Sequence, residues 1–120
     1  RIKTLRVRAE LPGENPKRDE RELVGTHPFS GMTVMNLSPA LAEDMDFDPF
    51  ATGVVVTSIR PRSAAYGYRF QPGDVLLSIM DTDIEKTSDI QKILDSYEGV
   101  RSWALTLERN GRVTKTRIRF

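Results

Sequence analysis

The chain has 120 residues, with 18 Lys and Arg against 17 Asp and Glu and a formal net charge of +1. At 38% hydrophobic and 29% charged residues it is too apolar to be disordered throughout, and its length suits one domain plus some extra chain. The lack of cysteine excludes disulfides, thiolate nucleophiles and cysteine zinc sites, while leaving the compartment open.

No apolar run approaches the roughly 18–20 residues of a membrane span, and the basic start lacks the apolar stretch of a signal peptide. Beginning at Arg1, the chain reads as an excised piece of something longer. Leu5, Val7, Ala9 and Leu11 alternate with Arg6, Arg8 and Glu10, which is the period of a strand. Pro12-Gly13-Glu14-Asn15-Pro16 breaks that pattern, and the fully charged run from Lys17 to Glu22 reads as a linker. A lone strand and a linker do not make a domain. Residues 1–22 are therefore expected to be the end of a preceding module, and residues 23–120 a compact domain.

Within that domain, residues 32–37 read as a strand, and Ser38-Pro39 supplies an N-cap and an N1 proline for a short helix through Met45. Val54 to Ile59 is β-branched and apolar, hence a central strand, with Gly53 opening it. Ser63-Ala64-Ala65-Tyr66 reads as a capped helical turn, and Gln71-Pro72-Gly73-Asp74 as a turn before a second buried strand, Val75 to Met80. Ser88-Asp89-Ile90-Gln91 has capping-box spacing; Ile90, Ile93, Leu94 and Tyr97 form a helix stripe that Gly99 ends. A hairpin closes the chain, Trp103 to Glu108 and Val113 to Phe120, around an Asn110-Gly111 turn suited to positive φ.

Catalytic constellations are missing from this pattern. His27 is the one histidine; it precedes a proline in a loop, and no G-x-S-x-G accompanies it, so a Ser-His-Asp arrangement is not expected. One histidine without cysteine does not make a zinc site either. Asp44-Met45-Asp46-Phe47-Asp48 resembles a calcium loop until Pro49, which stands where the turn glycine belongs. No phosphate-binding glycine loop occurs, and no cofactor or metal is expected. Arg109, Arg112, Lys115, Arg117 and Arg119 gather at the end, but the last three alternate with Thr116 and Ile118 as a half-buried strand with a wet face would. Nucleic acid is not expected as a partner.

Ser63-Ala64-Ala65, then Phe70-Gln71-Pro72-Gly73-Asp74-Val75-Leu76-Leu77-Ser78-Ile79, then Ser88-Asp89-Ile90 resemble the PDZ pattern in order and spacing. Asn36-Leu37-Ser38-Pro39-Ala40-Leu41-Ala42-Glu43 followed by Gly53-Val54-Val55-Val56 is similar to the second PDZ module of bacterial Do/HtrA-type envelope serine proteases. The resemblance implies an α+β, PDZ-like, partly open β-barrel or sandwich of roughly five to seven strands with two or three short helices. It also implies a parent trypsin-like serine endopeptidase of the periplasm or cell envelope, engaged in protein quality control, whose catalytic residues lie outside this chain. Expected partners are unfolded or C-terminal peptide segments, the protease and first PDZ domains of the parent chain, and other copies in a homo-oligomer. A PDZ of another envelope protein, such as a secretion component or intramembrane protease, is the alternative; a hydrolytic activity of the chain itself has no residues to support it.

By this resemblance, a partner's C-terminal segment adds as a strand beside Met32, Thr33 and Val34, in the groove before the helix bearing Ile90, Ile93 and Leu94. Its carboxylate would meet the amides of Phe29-Ser30-Gly31-Met32, where glycine leaves amides free to converge. Ser30 stands where the family loop carries a bulky apolar residue, so the pocket wall is thin and affinity on the order of tens of micromolar or poorer is expected. The same apolar residues, Val34 and Ile90 above all, read equally well as plain core. Arg69 occupies a position where the family has glycine, and is expected to carry a positive φ.

Overall fold

In the computed structural model, residue 13 and residues 15–120 are described, so the strand expected over residues 5–11 lies outside the described residues. The elements run β1 (Arg21–Glu22), β2 (Met32–Asn36), α1 (Pro39–Asp44), β3 (Val54–Ile59) and α2 (Ala64–Gly67). Then follow β4 (Val75–Ile79), β5 (Thr82–Asp83), α3 (Thr87–Ser96), β6 (Ser102–Arg109) and β7 (Arg112–Arg119). All pairings are antiparallel, in the order β1-β2-β3-β4-β6-β7 with β5 on β4, and the sheet does not close on itself. The expected class, α+β with five to seven strands and two or three short helices, is the observed one, with seven strands and three helices among the described residues.

The continuous apolar run of β3 is buried on both faces. Val54 and Val56 enter the main core with Leu76, Ile79, Ile90 and Trp103. Val55 turns to a second cluster with Leu37, Leu41, Ala42 and Val75, beneath α1. Strand alternation between two covered faces explains why no polar residue interrupts Val54-Val55-Val56.

Helix starts follow local chemistry. The Ser38 hydroxyl accepts from the Leu41 amide at 3.1 Å, and the Ser63 hydroxyl from the Tyr66 amide at 3.2 Å. The start of α3 departs from expectation. There the Asp89 carboxylate accepts from the Glu85 and Lys86 amides at 3.0 and 3.2 Å, while Gln91 bonds to Asp95 instead of reaching back. An ionised carboxylate is the stronger acceptor for helix-start amides and takes the place of the expected serine.

Gly73-Asp74 locks the turn before β4 to the end of β6. Asp74 is buried and receives Arg109 Nε and Nη2 at 2.7 Å each, as well as the Gln71 amide at 2.9 Å. These bonds to Asp74 hold the Arg109 guanidinium above its ordinary pKa, against partial burial that pulls the other way.

β7 differs from the half-buried strand expected for it. β6 alternates properly, burying Trp103, Leu105 and Leu107, whereas β7 is exposed along nearly its whole length and only Ile118 packs at the core margin. It is the outermost strand on its side of the described sheet.

Candidate functional site

The residues expected to form a ligand groove do come together, and another segment lies on them. Met32, Val34, Ile90, Ile93 and Leu94 share one buried cluster. Phe29 is deeper than a groove residue: its ring packs 5.5 Å from Phe70 and, edge-on, 5.6 Å from Trp103. Thr33 is half-buried, and its carbonyl accepts from the Thr57 hydroxyl at 3.3 Å. Ser30 is half-buried, and its carbonyl accepts from the Ala65 amide at 3.0 Å.

Gly31 is needed for two reasons. Its φ of +100° lies in the region that L side chains avoid, and a Cβ there would sit 2.1 Å from the Ser63 Cβ. Its carbonyl accepts from the Arg60 amide, and its own amide donates to the Leu23 carbonyl, both at 2.8 Å. The Ser30, Gly31 and Met32 amides expected to converge on a carboxylate are thus engaged within the chain. Ser30 donates to His27 and Met32 to Phe29, each at 3.3 Å, leaving Gly31 as the donor that faces the neighbouring strand.

That neighbouring strand is the charged run. Arg21 pairs with Val34 and Glu22 with Thr33 along the edge of β2 opposite β3. Leu23 donates to the Met32 carbonyl at 2.9 Å, and the Arg18 carbonyl accepts from the Asn36 amide at 2.7 Å. Residues 18–22, expected to be linker, and Leu23, expected to open the domain, therefore run along the full edge of β2. The reason is packing: Leu23 is 0% exposed and joins Phe29, Met32 and Ile90 in the core.

Side chains reinforce the arrangement at both ends. Asp19 accepts from the Thr87 hydroxyl at 2.7 Å, at the start of α3, and from Arg21. These hydrogen bonds, Thr87 first and then Arg21, hold the Asp19 carboxyl below its ordinary pKa. Glu22 forms an ion pair with Arg60. Asn36 donates to the Lys17 carbonyl at 3.0 Å and accepts from the Thr87 amide at 2.8 Å. Asp19, Leu23, Asn36 and Thr87 were not expected at this site. The sole sequence signal was Leu23 itself, an apolar residue ending a charged run.

His27, expected as an ordinary loop residue, is buried in the connection between β1 and β2. Its Nε2 lies 3.0 Å from the Val24 carbonyl, so Nε2 carries the proton, and the buried Nδ1 has no partner among the described residues. Burial lowers its pKa, with the Val24 carbonyl opposing. Val24 to His27, with Leu94 and Asp95 in the last turn of α3 and Glu98 just after it, enclose a cleft of about 300 Å³. A larger open cleft, about 960 Å³, lies elsewhere, between the 45–52 loop and the β6–β7 turn; Asp74 in its wall is already bonded to Arg109. Among the described residues no group of three His, Cys, Asp or Glu side chains is placed to hold a metal, and no helix is long and apolar enough to cross a membrane.

No protein-family model matches the chain, and a search of curated proteins finds no match. Solved structures do. An HtrA-type protease, AlgW, with a decapeptide is similar over 74% of this chain, at 24% identity and a TM-score of 0.65. The HtrA3 PDZ domain bound to a phage-derived ligand (FGRWV) is similar over the same share of the chain and 80% of its own, at 18% identity and a TM-score of 0.58. The match spans 27% of the length of the AlgW chain. The open antiparallel sheet, its three short helices and these two likenesses together give the chain a PDZ-like fold.

Proposed function

We propose that the chain is a peptide-binding regulatory module of an HtrA-type serine endopeptidase, the second PDZ of its parent, working in a bacterial cell envelope. The observation that carries this reading is the edge of β2 beside α3, where an antiparallel strand is accepted with an apolar residue, Leu23, buried at its end and the Gly31 amide on its last carbonyl. An external C-terminal segment would use the same ladder, with a carboxylate oxygen in the place of the Leu23 carbonyl. The solved relatives with a decapeptide and with a phage-derived ligand support a peptide as the ligand class. The proposal includes the expected division of the chain, with a preceding module's terminal strand and a charged linker over residues 1–22 and this module over residues 23–120, the linker docking on the edge of β2. It also includes a role in assembling the parent protein into oligomers.

Binding of labelled peptides with an apolar last residue, followed by fluorescence anisotropy, tests the reading. The free-acid form should bind on the order of tens of micromolar or weaker, and the amidated form at least tenfold more weakly, because a charge-assisted bond from Gly31 is lost. Equal affinity for the two forms would remove the carboxylate from the account.

A further inference from the structure

We infer that residues 18–23 are an internal ligand of the β2 edge, which an external segment must displace to bind, and whose chemistry is the template for that segment. The inference rests on the strand-addition reading above and adds what competes for the site and what the competitor must look like. The geometry is that of an occupied groove. From Arg18, whose carbonyl meets the Asn36 amide, to Leu23, whose carbonyl meets the Gly31 amide, the segment satisfies the edge of β2 from end to end. Only the short loop 24–31 then returns the chain to β2, so the internal ligand is held at high effective concentration.

The contacts specify a partner by chemistry. Leu23 leaves the core when displaced, so the last residue of the newcomer must be aliphatic to refill a fully buried place. The position before it faces Arg60, which pairs with Glu22 and favours an acid. The position four before the last faces the Thr87 hydroxyl, which donates to Asp19. The structure thus points to an acidic segment ending in an aliphatic residue with a free carboxylate.

The probe is a synthetic heptapeptide copying residues 17–23 with a free C-terminus, added to the full chain. Two opposed substitutions of one residue type separate competition from simple damage. Asp19→Ala in the chain weakens the internal ligand and should tighten peptide binding about threefold to tenfold, whereas the same change in the peptide should weaken binding by a similar factor. A lock gives the second arm. Leu23 bonds to Met32, so the adjacent pair Glu22 and Thr33 is a closely spaced, non-hydrogen-bonded pair. Glu22→Cys with Thr33→Cys therefore places two thiols within disulfide reach in a chain without other cysteines. Oxidised, the double variant should lose at least about tenfold in peptide affinity, and a dithiol reductant should restore it.

Amide hydrogen exchange of the free chain completes the test, with slow exchange expected at Leu23 and Gly31. Fast exchange there, with peptide still bound, overturns the internal ligand and leaves strand addition standing. Equal affinity of the locked and reduced forms overturns the competition. Absence of binding to the reduced form at millimolar peptide overturns both the inference and the peptide-binding reading, since β1 is then a permanent strand.

Discussion

The Asn36 side chain bridges two segments that flank the β2 edge: its Oδ1 accepts from the Thr87 amide at 2.8 Å, while its Nδ2 donates to the Lys17 carbonyl at 3.0 Å. A strand residue thus serves as the acceptor for the first amide of α3 and sets the helix start against β2. The bond to Thr87 is shielded from water, because Asn36 and Thr87 are buried, while the bond to Lys17 is partly exposed. Asn36→Ala leaves the Thr87 amide and the Lys17 carbonyl without these partners, and should cost about 2 kcal/mol of stability by urea unfolding. The Thr87 amide should also exchange faster with solvent. A loss within the scatter of a surface substitution would show that water replaces the carboxamide.

Several non-glycine residues hold positive φ, and two of these places are open to relief. Arg69 has φ of +68°, as expected for a residue standing where the resembling family has glycine. The β4–β5 turn is made by Met80 and Asp81, at φ of +54° and +60°, between the paired residues Ile79 and Thr82. Met80 is half-buried against the core and its Sδ accepts from the Ala104 amide, so it resists replacement. Asp81 is exposed and free of that constraint. Arg69→Gly and Asp81→Gly should each raise stability by roughly 0.5–1 kcal/mol, read as a higher Tm, because glycine enters the left-handed region without a Cβ penalty. The gains should add, since the two turns share no partner.

Acid should weaken the domain through His27. Burial holds its folded pKa below the ordinary 6.5, so between the two values the unfolded chain binds a proton that the folded chain does not. Stability is then complete above pH 6.5 and falls as the pH drops below that value towards the folded pKa. Asp95 and Glu98 line the same cleft, and the Val24 carbonyl opposes the effect without removing the burial that causes it. Asp19 acts in a separate window: its lowered pKa gives stability present above 3.8 and lost only further into acid. Urea midpoints at about pH 7.5 and pH 5 should therefore differ for the parent chain and converge for His27→Asn. The same drop in both proteins would assign the acid sensitivity to another group.

The local elements of this protein are legible in its sequence because the interactions that form them span only a few residues. Ser38-Pro39 and Ser63 start helices through their own hydroxyls. Asn110 and Gly111 take the positive φ angles of the hairpin turn, and the β-branched run Val54-Val55-Val56 forms the expected strand. The stripe of Ile90, Ile93 and Leu94 identifies the buried face of α3 in the same way. None of these needs a distant partner to be recognised.

What covers the edge of β2 was decided by tertiary structure alone. Six consecutive charged residues carry no period and no strand propensity, so Lys17 to Glu22 reads as solvated chain. Their conformation is imposed by partners far along the sequence: Asp19 bonds to Thr87 across 68 positions, and Glu22 to Arg60 across 38. The burial of His27 and the clash that a Cβ at Gly31 would make with Ser63 arise in the same way, from segments that meet only after the sheet has formed. Backbone amides and carbonyls at an open sheet edge accept any strand, so composition does not reveal which strand occupies it; the burial of Leu23 does.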